Sequence, residues 1–503
     1  MRSKKAALNV ISALLLQLAN IISGLIVPSM IIHHYGSNVN GLIVSITQFL
    51  NYISLLDGGI GGVTKAALYQ PLAEHDNAKT SAILSATTQF FRQIACVFIA
   101  YVFLLSIFYP KLIQTAFSTS FIVSLIAIIG INTLTQYFFG ITNQLLIQAA
   151  QKSYLIDFMQ IGAILVNIIV VVALVAANAS IQLVKLISVL IFLLRPIVQA
   201  IYVRKRYCLI SRSSPDKNAI AQRWDGLGQH IAYFVNTNTD VVVLTIFSTI
   251  SEVSVYSVYA MVASGLCGVV YALSNGFSAA LGDMVAKNEQ RQLRDTFDVL
   301  EWINSNCSIV FFSTAAIMIL PFVQIYTAGV SDTDYLRPAF AMILFAAELM
   351  YCLRYPFVTL TNAAGHYRQT RNGAFAEAGI NMVISLCLVK QLGLEGVAVG
   401  TLCAMIFRTL NYILYLSQNI LFRKPIRFIW SVFVNIVGAA IGVLILRLLP
   451  LWNIQGYFDW AISALSACII LFITTNLCNI IFNKKKTLTV FRKIKSIMLG
   501  RQI

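Results

Sequence analysis

Three charged side chains lie where a chain this apolar would not ordinarily keep a charge. Asp240 closes the run Asn236-Thr237-Asn238-Thr239-Asp240, near the middle of a hydrophobic stretch. A carboxylate there needs a cation, a basic partner or a proton. It either binds a coupling ion such as Na+ or H+ or pairs structurally with a basic residue. Glu348 and Arg354 share another stretch, six residues apart and so on different helix faces. Glu348 is a second candidate for ion coupling. Arg354 offers a fork that binds phosphate oxygens bidentately, or else it snorkels or is ion-paired. Gln48, Asn51 and Asp57 recur at near-helical spacing and give one face of their segment a polar stripe. Asn20, Asn236 and Asn275 are carboxamides in further apolar stretches. Together Asn20, Gln48, Asn51, Asn236, Asn275 and Arg354 are the candidate lining of a polar path. Asp57 and Lys65 bracket a glycine-rich run, either as a gate pair or as solvated surface charges. Arg195 and Arg408 lie nearer the ends of their stretches, where snorkelling is expected.

Other chemistries find no support. The run Asp57-Gly58-Gly59-Ile60-Gly61-Gly62 follows no strand and leads to no Gly-Lys-Ser/Thr, so it is not a nucleotide loop. The pair His33-His34 is a weak metal signal. None of the nine cysteines forms a C-x-x-C pair, and nearly all lie in apolar runs, where cysteine behaves as a small apolar residue. Neither a disulfide framework, a metal site nor a cofactor is expected. No nucleophile–base arrangement, catalytic carboxylate pair or ATPase motif is recognisable, so the chain is not read as an enzyme. Energy for any work must come from an ion gradient, the membrane potential or the gradient of a substrate.

The elements that must position these residues are membrane helices. Of 503 residues, 58% are hydrophobic and only 11% charged, against about 25% charged in soluble proteins. That deficit cannot cover a water-facing surface. A soluble enzyme, a disordered chain and a secreted disulfide scaffold are excluded. So is a β-barrel, because the apolar runs are continuous and do not alternate. Fourteen spans of about the length a bilayer requires are expected at 8–32, 39–64, 86–109, 119–145, 156–178, 182–203, 228–249, 253–281, 301–325, 336–360, 373–391, 394–417, 429–449 and 458–482. The first is read as a retained helix, since 8–32 exceeds a signal-peptide core and no small-residue cleavage site follows.

The net charge of +17 has the same origin. Basic clusters fall between spans, at Arg2, Lys4 and Lys5, at Arg204 to Arg206, at Arg423, Lys424 and Arg427, and at Lys484 to Lys486. With Met1 inside, about 28 of the 36 basic residues become cytoplasmic. Nucleic acid is therefore not expected as a partner, and both termini are placed in the cytoplasm. The stretches 65–85 and 283–300 mix charged and apolar residues and are expected to lie on the membrane surface as amphipathic helices.

A shift of about 214 positions superposes Tyr137 on Tyr351, Ala149-Ala150 on Ala363-Ala364 and Asn167 on Asn381. With a one-residue slip it also superposes Arg195 on Arg408. This implies two six-span lobes of like orientation, 1–212 and 213–428, followed by two helices over 429–483 and a basic tail over 484–503. Parallel repeats of this kind place a substrate path between the halves. The intramembrane polar residues concentrate in the first two spans of each lobe. They either line a water-filled cavity or hydrogen-bond helices in a dry bundle.

Four further groups of residues carry a resemblance. They are Tyr35-Gly36-Ser37-Asn38-Val39-Asn40-Gly41-Leu42, then Leu55-Leu56-Asp57-Gly58-Gly59-Ile60-Gly61 and Leu68-Tyr69-Gln70-Pro71-Leu72-Ala73, then Thr239 to Thr245 and Val253 to Tyr259, and last Ala363-Ala364-Gly365-His366 and Gly393 to Thr401. They resemble the polysaccharide-unit flippases, the Wzx-like members of the multidrug/oligosaccharidyl-lipid/polysaccharide exporter superfamily. The resemblance spans nearly the whole chain. It implies an all-α polytopic protein with a cavity lined by spans 1, 2, 7 and 8 and alternating access. It implies movement of undecaprenyl-diphosphate-linked saccharide units across a bacterial plasma membrane for capsule, exopolysaccharide or related polymers. A polymerase and glycosyltransferases of the same pathway would then be partners. Related lipid II flippases carry cavity arginines on the first span, and span 1 here has none, which argues against lipid II as substrate. A cation-coupled drug exporter of the same superfamily is the alternative. A membrane polymerase or ligase would need a sizeable exterior loop, which the short connections do not supply.

Overall fold

A computed structural model describes residues 2–57, 59–113, 115–207, 209–210, 214–216, 219, 227–449, 454–484 and 487–492. Among them the fold is all helical. The helices are α1 (Arg2–Tyr35), α2 (Ser37–Asn51), α3 (Ile60–Ala73), α4 (Asn77–Leu112), α5 (Thr119–Thr135), α6 (Ile141–Ala149), α7 (Ser153–Ala176), α8 (Ile181–Arg206) and α9 (Leu227–Phe247), then α10 (Ile250–Asn275), α11 (Ser278–Ala286), α12 (Gln290–Tyr326), α13 (Pro338–Leu353), α14 (Tyr355–Ala363), α15 (Tyr367–Leu392), α16 (Leu394–Asn419), α17 (Ile426–Arg447) and α18 (Tyr457–Phe482). Thirteen segments among the described residues are long and apolar enough to cross a membrane. The expected seventh span is the one not among them: among the described residues the apolar stretch of α9 is Asn238–Phe247, shorter than a bilayer crossing.

The element order repeats. Asn77 starts α4 and Gln290 starts α12, Ser153 starts α7 and Tyr367 starts α15, Ile181 starts α8 and Leu394 starts α16, so each pair is separated by 213 or 214 positions. The fourth segment of each set is broken at the same place, by a π-helical turn at Gln136–Gly140 before α6 and by Arg354 before α14. The helices α17 and α18 follow the second set.

Local sequence explains the boundaries. Asp76 caps α4 by accepting from the Lys79 amide at 2.9 Å, and Ser118 and Ser180 cap α5 and α8 in the same way. Nothing between Asn77 and Phe108 breaks the helix, so α4 runs 36 residues, about 54 Å. The α12 helix runs 37 residues from Gln290. Both exceed the roughly 30 Å of hydrocarbon. The expected surface helices are corrected accordingly: 77–85 and 290–300 are the first turns of membrane helices that project beyond the bilayer.

The second span is also not one straight helix. After Asn51 the chain tightens into a 3-10 turn, Tyr52–Asp57, before α3 begins. Three residues per turn replace 3.6, and the expected common face of Gln48, Asn51 and Asp57 is lost.

The chain packs as two compact units, Met1–Ser257 with Gly329–Thr333, and Val258–Ala328 with Asp334–Ile503. In the first, Leu42, Ile46, Phe91, Phe98, Leu125 and Tyr137 form the main core of α2, α4, α5 and the π turn. In the second, Phe297, Leu300, Phe357, Leu416 and Phe428 form one core, and Ile309, Val310, Ala439 and Leu471 join α12 to α17 and α18 in another.

Candidate functional site

In the first unit a polar seam joins α2 to α9 and to the first turns of α10. Ser37, Gly41, Ser45 and Gln48 recur every three to four residues, so they share one face of α2. The side chain of Asn40 donates to Ser254 Oγ at 2.8 Å and to Ser257 Oγ at 3.3 Å. Ser45 and Thr245 share a hydrogen bond of 2.7 Å, and the Tyr109 hydroxyl donates to Ser45 at 2.7 Å. Gln48 Nε2 donates to Asn238 Oδ1. At the end of the seam the Ser37 amide and hydroxyl both donate to Asp332, at 2.7 and 2.6 Å. Gly41 permits this approach, since a Cβ there would overlap the Ile250 carbonyl. Asp240 sits just behind the seam, only 4% exposed, and accepts from the Tyr256 hydroxyl at 3.1 Å.

The other candidate path residues take several positions. Asn20 on α1, Asn51 at the end of α2 and Asn275 at the end of α10 are exposed. Asn236 lies on α9, but its side chain, like that of His230, is outside the described residues. Two polar residues of the first span serve packing: Asn9 Oδ1 accepts from the Tyr154 amide at 2.9 Å, and Ser12 donates to Asp157 at 2.6 Å. Asp57, turned inward by the 3-10 segment, faces Tyr137 on the π turn. Its Oδ1 is buried and makes no hydrogen bond. Lys65 is half-buried on α3, and the structure does not bring it into an ion pair with Asp57.

The second unit contains a buried ionic cluster. Arg354, at the break between α13 and α14, is 5% exposed and holds Glu377 of α15 at 2.5 Å. Arg408 of α16 approaches the other carboxylate oxygen at 3.4 Å. It also donates to the Thr370 carbonyl at 2.9 Å and to the Tyr412 hydroxyl at 3.2 Å. Arg408 was expected to snorkel. It is instead 3% exposed, because Glu377 supplies the counter-charge that makes burial tolerable. Arg195 departs from the same expectation, held half-buried by Gln160 Oε1 at 2.5 Å. Glu348 does not meet Arg354; it accepts from the Cys267 thiol at 3.2 Å.

An aromatic run leads from this cluster outward. The Arg354 guanidinium lies 4.5 Å from the Tyr351 ring centroid, Tyr351 is 4.9 Å from Tyr355, and Tyr355 is 5.4 Å from Tyr271. Tyr271 is 51% exposed. Among the described residues two guanidiniums meet the Glu377 carboxylate beside the tyrosine faces. Glu377 is the member that sequence reasoning missed. It is the sole acidic residue between Glu348 and Glu395 and lies in sequence between Arg354 and Arg408, the arginines of the spans on either side, and that charge balance was the available signal.

No protein-family model matches the sequence, and no curated protein is significantly similar to it. Solved structures do share the fold. The lipid II flippase MurJ, in an inward closed conformation, superposes with a TM-score of 0.70 at 14% identity over 93% of this chain and 99% of that one. The multidrug transporter DinF-BH, of the MATE type, gives 0.62 at 13% identity, covering 84% and 96%. The eukaryotic MATE transporter AtDTX14 gives 0.55 at 13% identity, covering 86% and 98%.

Proposed function

We propose that this chain is a flippase of the multidrug/oligosaccharidyl-lipid/polysaccharide exporter superfamily. It moves undecaprenyl-diphosphate-linked saccharide units from the inner to the outer leaflet of a bacterial plasma membrane, with both termini in the cytoplasm. The saccharide crosses through a polar path while the lipid tail trails in hydrocarbon, which spares its hydroxyls an unpaired passage. The observation that carries this reading is the fold shared with a lipid flippase over 93% of the chain, against 84% and 86% for the two drug transporters. The residues agree with it. Carboxamides exposed on membrane helices, at Asn20, Asn51 and Asn275, require water or a polar ligand rather than lipid. Gln48 and Asn236 belong to the same path. The tyrosine run from Tyr271 to Arg354 offers ring faces for sugars above a positive charge suited to diphosphate. Asp57 and Lys65 flank the path at its cytoplasmic end, as a gate whose charges pair in another state.

Asp240 and Glu348 are the groups through which H+ or Na+ would drive the cycle. In proteoliposomes carrying a fluorescent prenyl-diphosphate saccharide, the protein is expected to move the label to the leaflet accessible to an impermeant quencher. Asp240→Asn is expected to retain the fold and abolish the response of that movement to an imposed ion gradient. Gradient-driven efflux of cationic dyes with no movement of the saccharide lipid would instead establish the drug exporter. Polymerisation of outer-leaflet units by the purified protein would establish an enzyme.

A further inference from the structure

The transport reading leaves one face of α4 unexplained. Ser85, Gln89, Arg92 and Gln93 recur at three- to four-residue spacing and line one wall of a cavity of about 960 Å³. Arg204 at the end of α8, with Leu209, Ile210 and Pro215, lines the other wall. The Ile210 amide donates to Ser81 Oγ at 2.9 Å and the Asp216 amide to the Ala82 carbonyl at 3.2 Å, which ties these two residues to α4. The cavity is thus built by hydrogen bonds within one unit.

Its depth follows from the sequence. Between Arg92 and Lys111 lie 18 residues without a charge. At 1.5 Å per residue they span about 27 Å, close to the roughly 30 Å of hydrocarbon. Arg92 therefore marks one edge of the apolar layer. Arg204, which begins the basic end of α8, lines the same cavity and so stands at the same level. The polar stripe lies at headgroup depth. Toward the bilayer centre, α4 and α8 continue with exposed apolar residues such as Phe103 and Ile201.

The charge is one-sided. Among the described residues no aspartate or glutamate lines the cavity. Both arginines are exposed, and among the described residues neither has an ion pair. Two exposed guanidiniums lining one cavity at headgroup depth, with hydroxyl and carboxamide groups beside them and apolar helix faces alongside, match a phosphate ester on a lipid tail. We propose that this cavity binds the phosphate-bearing headgroup of a membrane amphiphile on the basic side of the bilayer. The source is either bulk anionic phospholipid or a prenyl-linked diphosphate waiting beside the carrier. The site does not depend on the transport reading.

The test uses the full chain in phosphatidylcholine nanodiscs, titrated with phosphatidylglycerol, with a short-chain prenyl diphosphate and with inorganic diphosphate. At least one of the two amphiphiles is expected to bind saturably, and the tighter one identifies the source. Arg92→Gln with Arg204→Gln should weaken that binding about thirtyfold, from about 1 kcal/mol per basic residue. Lys424→Gln with Arg427→Gln removes the same charge from another basic stretch and should leave it unchanged. Equal losses in both double variants would show diffuse surface charge and overturn the site, as would undiminished binding by the first. Inorganic diphosphate binding as tightly as the amphiphiles would overturn the lipid assignment. Matching thermal melts establish that the variants are folded, and Arg92→Gln alone serves if the double variant is not. Loss of saccharide movement with lipid binding intact would count against the carrier and leave this site standing.

Discussion

At the scale of single residues, Glu377 is the keystone of the second unit. It sits between Arg354 and Arg408, and all three are buried. Replacing it with glutamine leaves two guanidiniums facing each other in low dielectric, and breaking a buried pair in this way costs about 3–5 kcal/mol. Arg354→Gln should cost less, because Glu377 keeps Arg408 as its partner. The expected order of melting temperatures in detergent is wild type, then Arg354→Gln, then Glu377→Gln. A Glu377→Gln protein as stable as wild type would show that the cluster is hydrated and not sealed. The sequence made Arg354 and Asp240 conspicuous, since each is a charge inside an apolar run. It did not show that Arg408, expected toward the end of its span but midway along α16, would turn inward. That outcome depends on a partner on another helix, and partner identity is a tertiary property.

At the scale of elements, hydropathy reads length and not path. It locates the membrane helices, because each needs a continuous apolar run, and the repeat appears in the recurrence of their starting points. It cannot register the 3-10 turn after Asn51, the π turn at Gln136–Gly140 or the break at Arg354, because a fraction of a residue per turn leaves mean hydropathy unchanged. Yet these irregularities decide that Asp57 faces Tyr137 while Asn51 stays exposed. Close helix crossings are more legible. Gly438 and Gly442 stand four apart on α17, and a Cβ at Gly438 would lie 2.6 Å from the Thr475 Cα of α18. Gly438→Ala must therefore spread the two helices, at a cost of about 1–3 kcal/mol. A lower melting temperature with saccharide movement retained is the expected result. Unchanged stability would mean that α17 and α18 can separate without loss.

At the scale of the whole molecule, the polar seam along α2 connects the fold to the proposed cycle. Its apolar surroundings make it firm enough to form, but interhelical hydrogen bonds in membranes average only about 0.6 kcal/mol each. The four side-chain hydrogen bonds that Asn40, Ser45 and Gln48 make to α9 and α10 then total about 2 kcal/mol, an amount that ion binding near Asp240 can offset. A dry structural interface would instead be expected to use close apolar packing throughout. The distinction can be measured by locking the seam. Ser45 and Thr245 are short side chains whose oxygens lie 2.7 Å apart, within reach of a disulfide if both become cysteine. In proteoliposomes, Ser45→Cys with Thr245→Cys should move the saccharide lipid under reducing conditions and stop on oxidation, with activity restored by a reductant. Each single variant should be indifferent to oxidation, which controls for the native cysteines. If the oxidised double variant, with its cross-link verified, transports at the reduced rate, the seam does not open during the cycle and the path must run elsewhere in the protein.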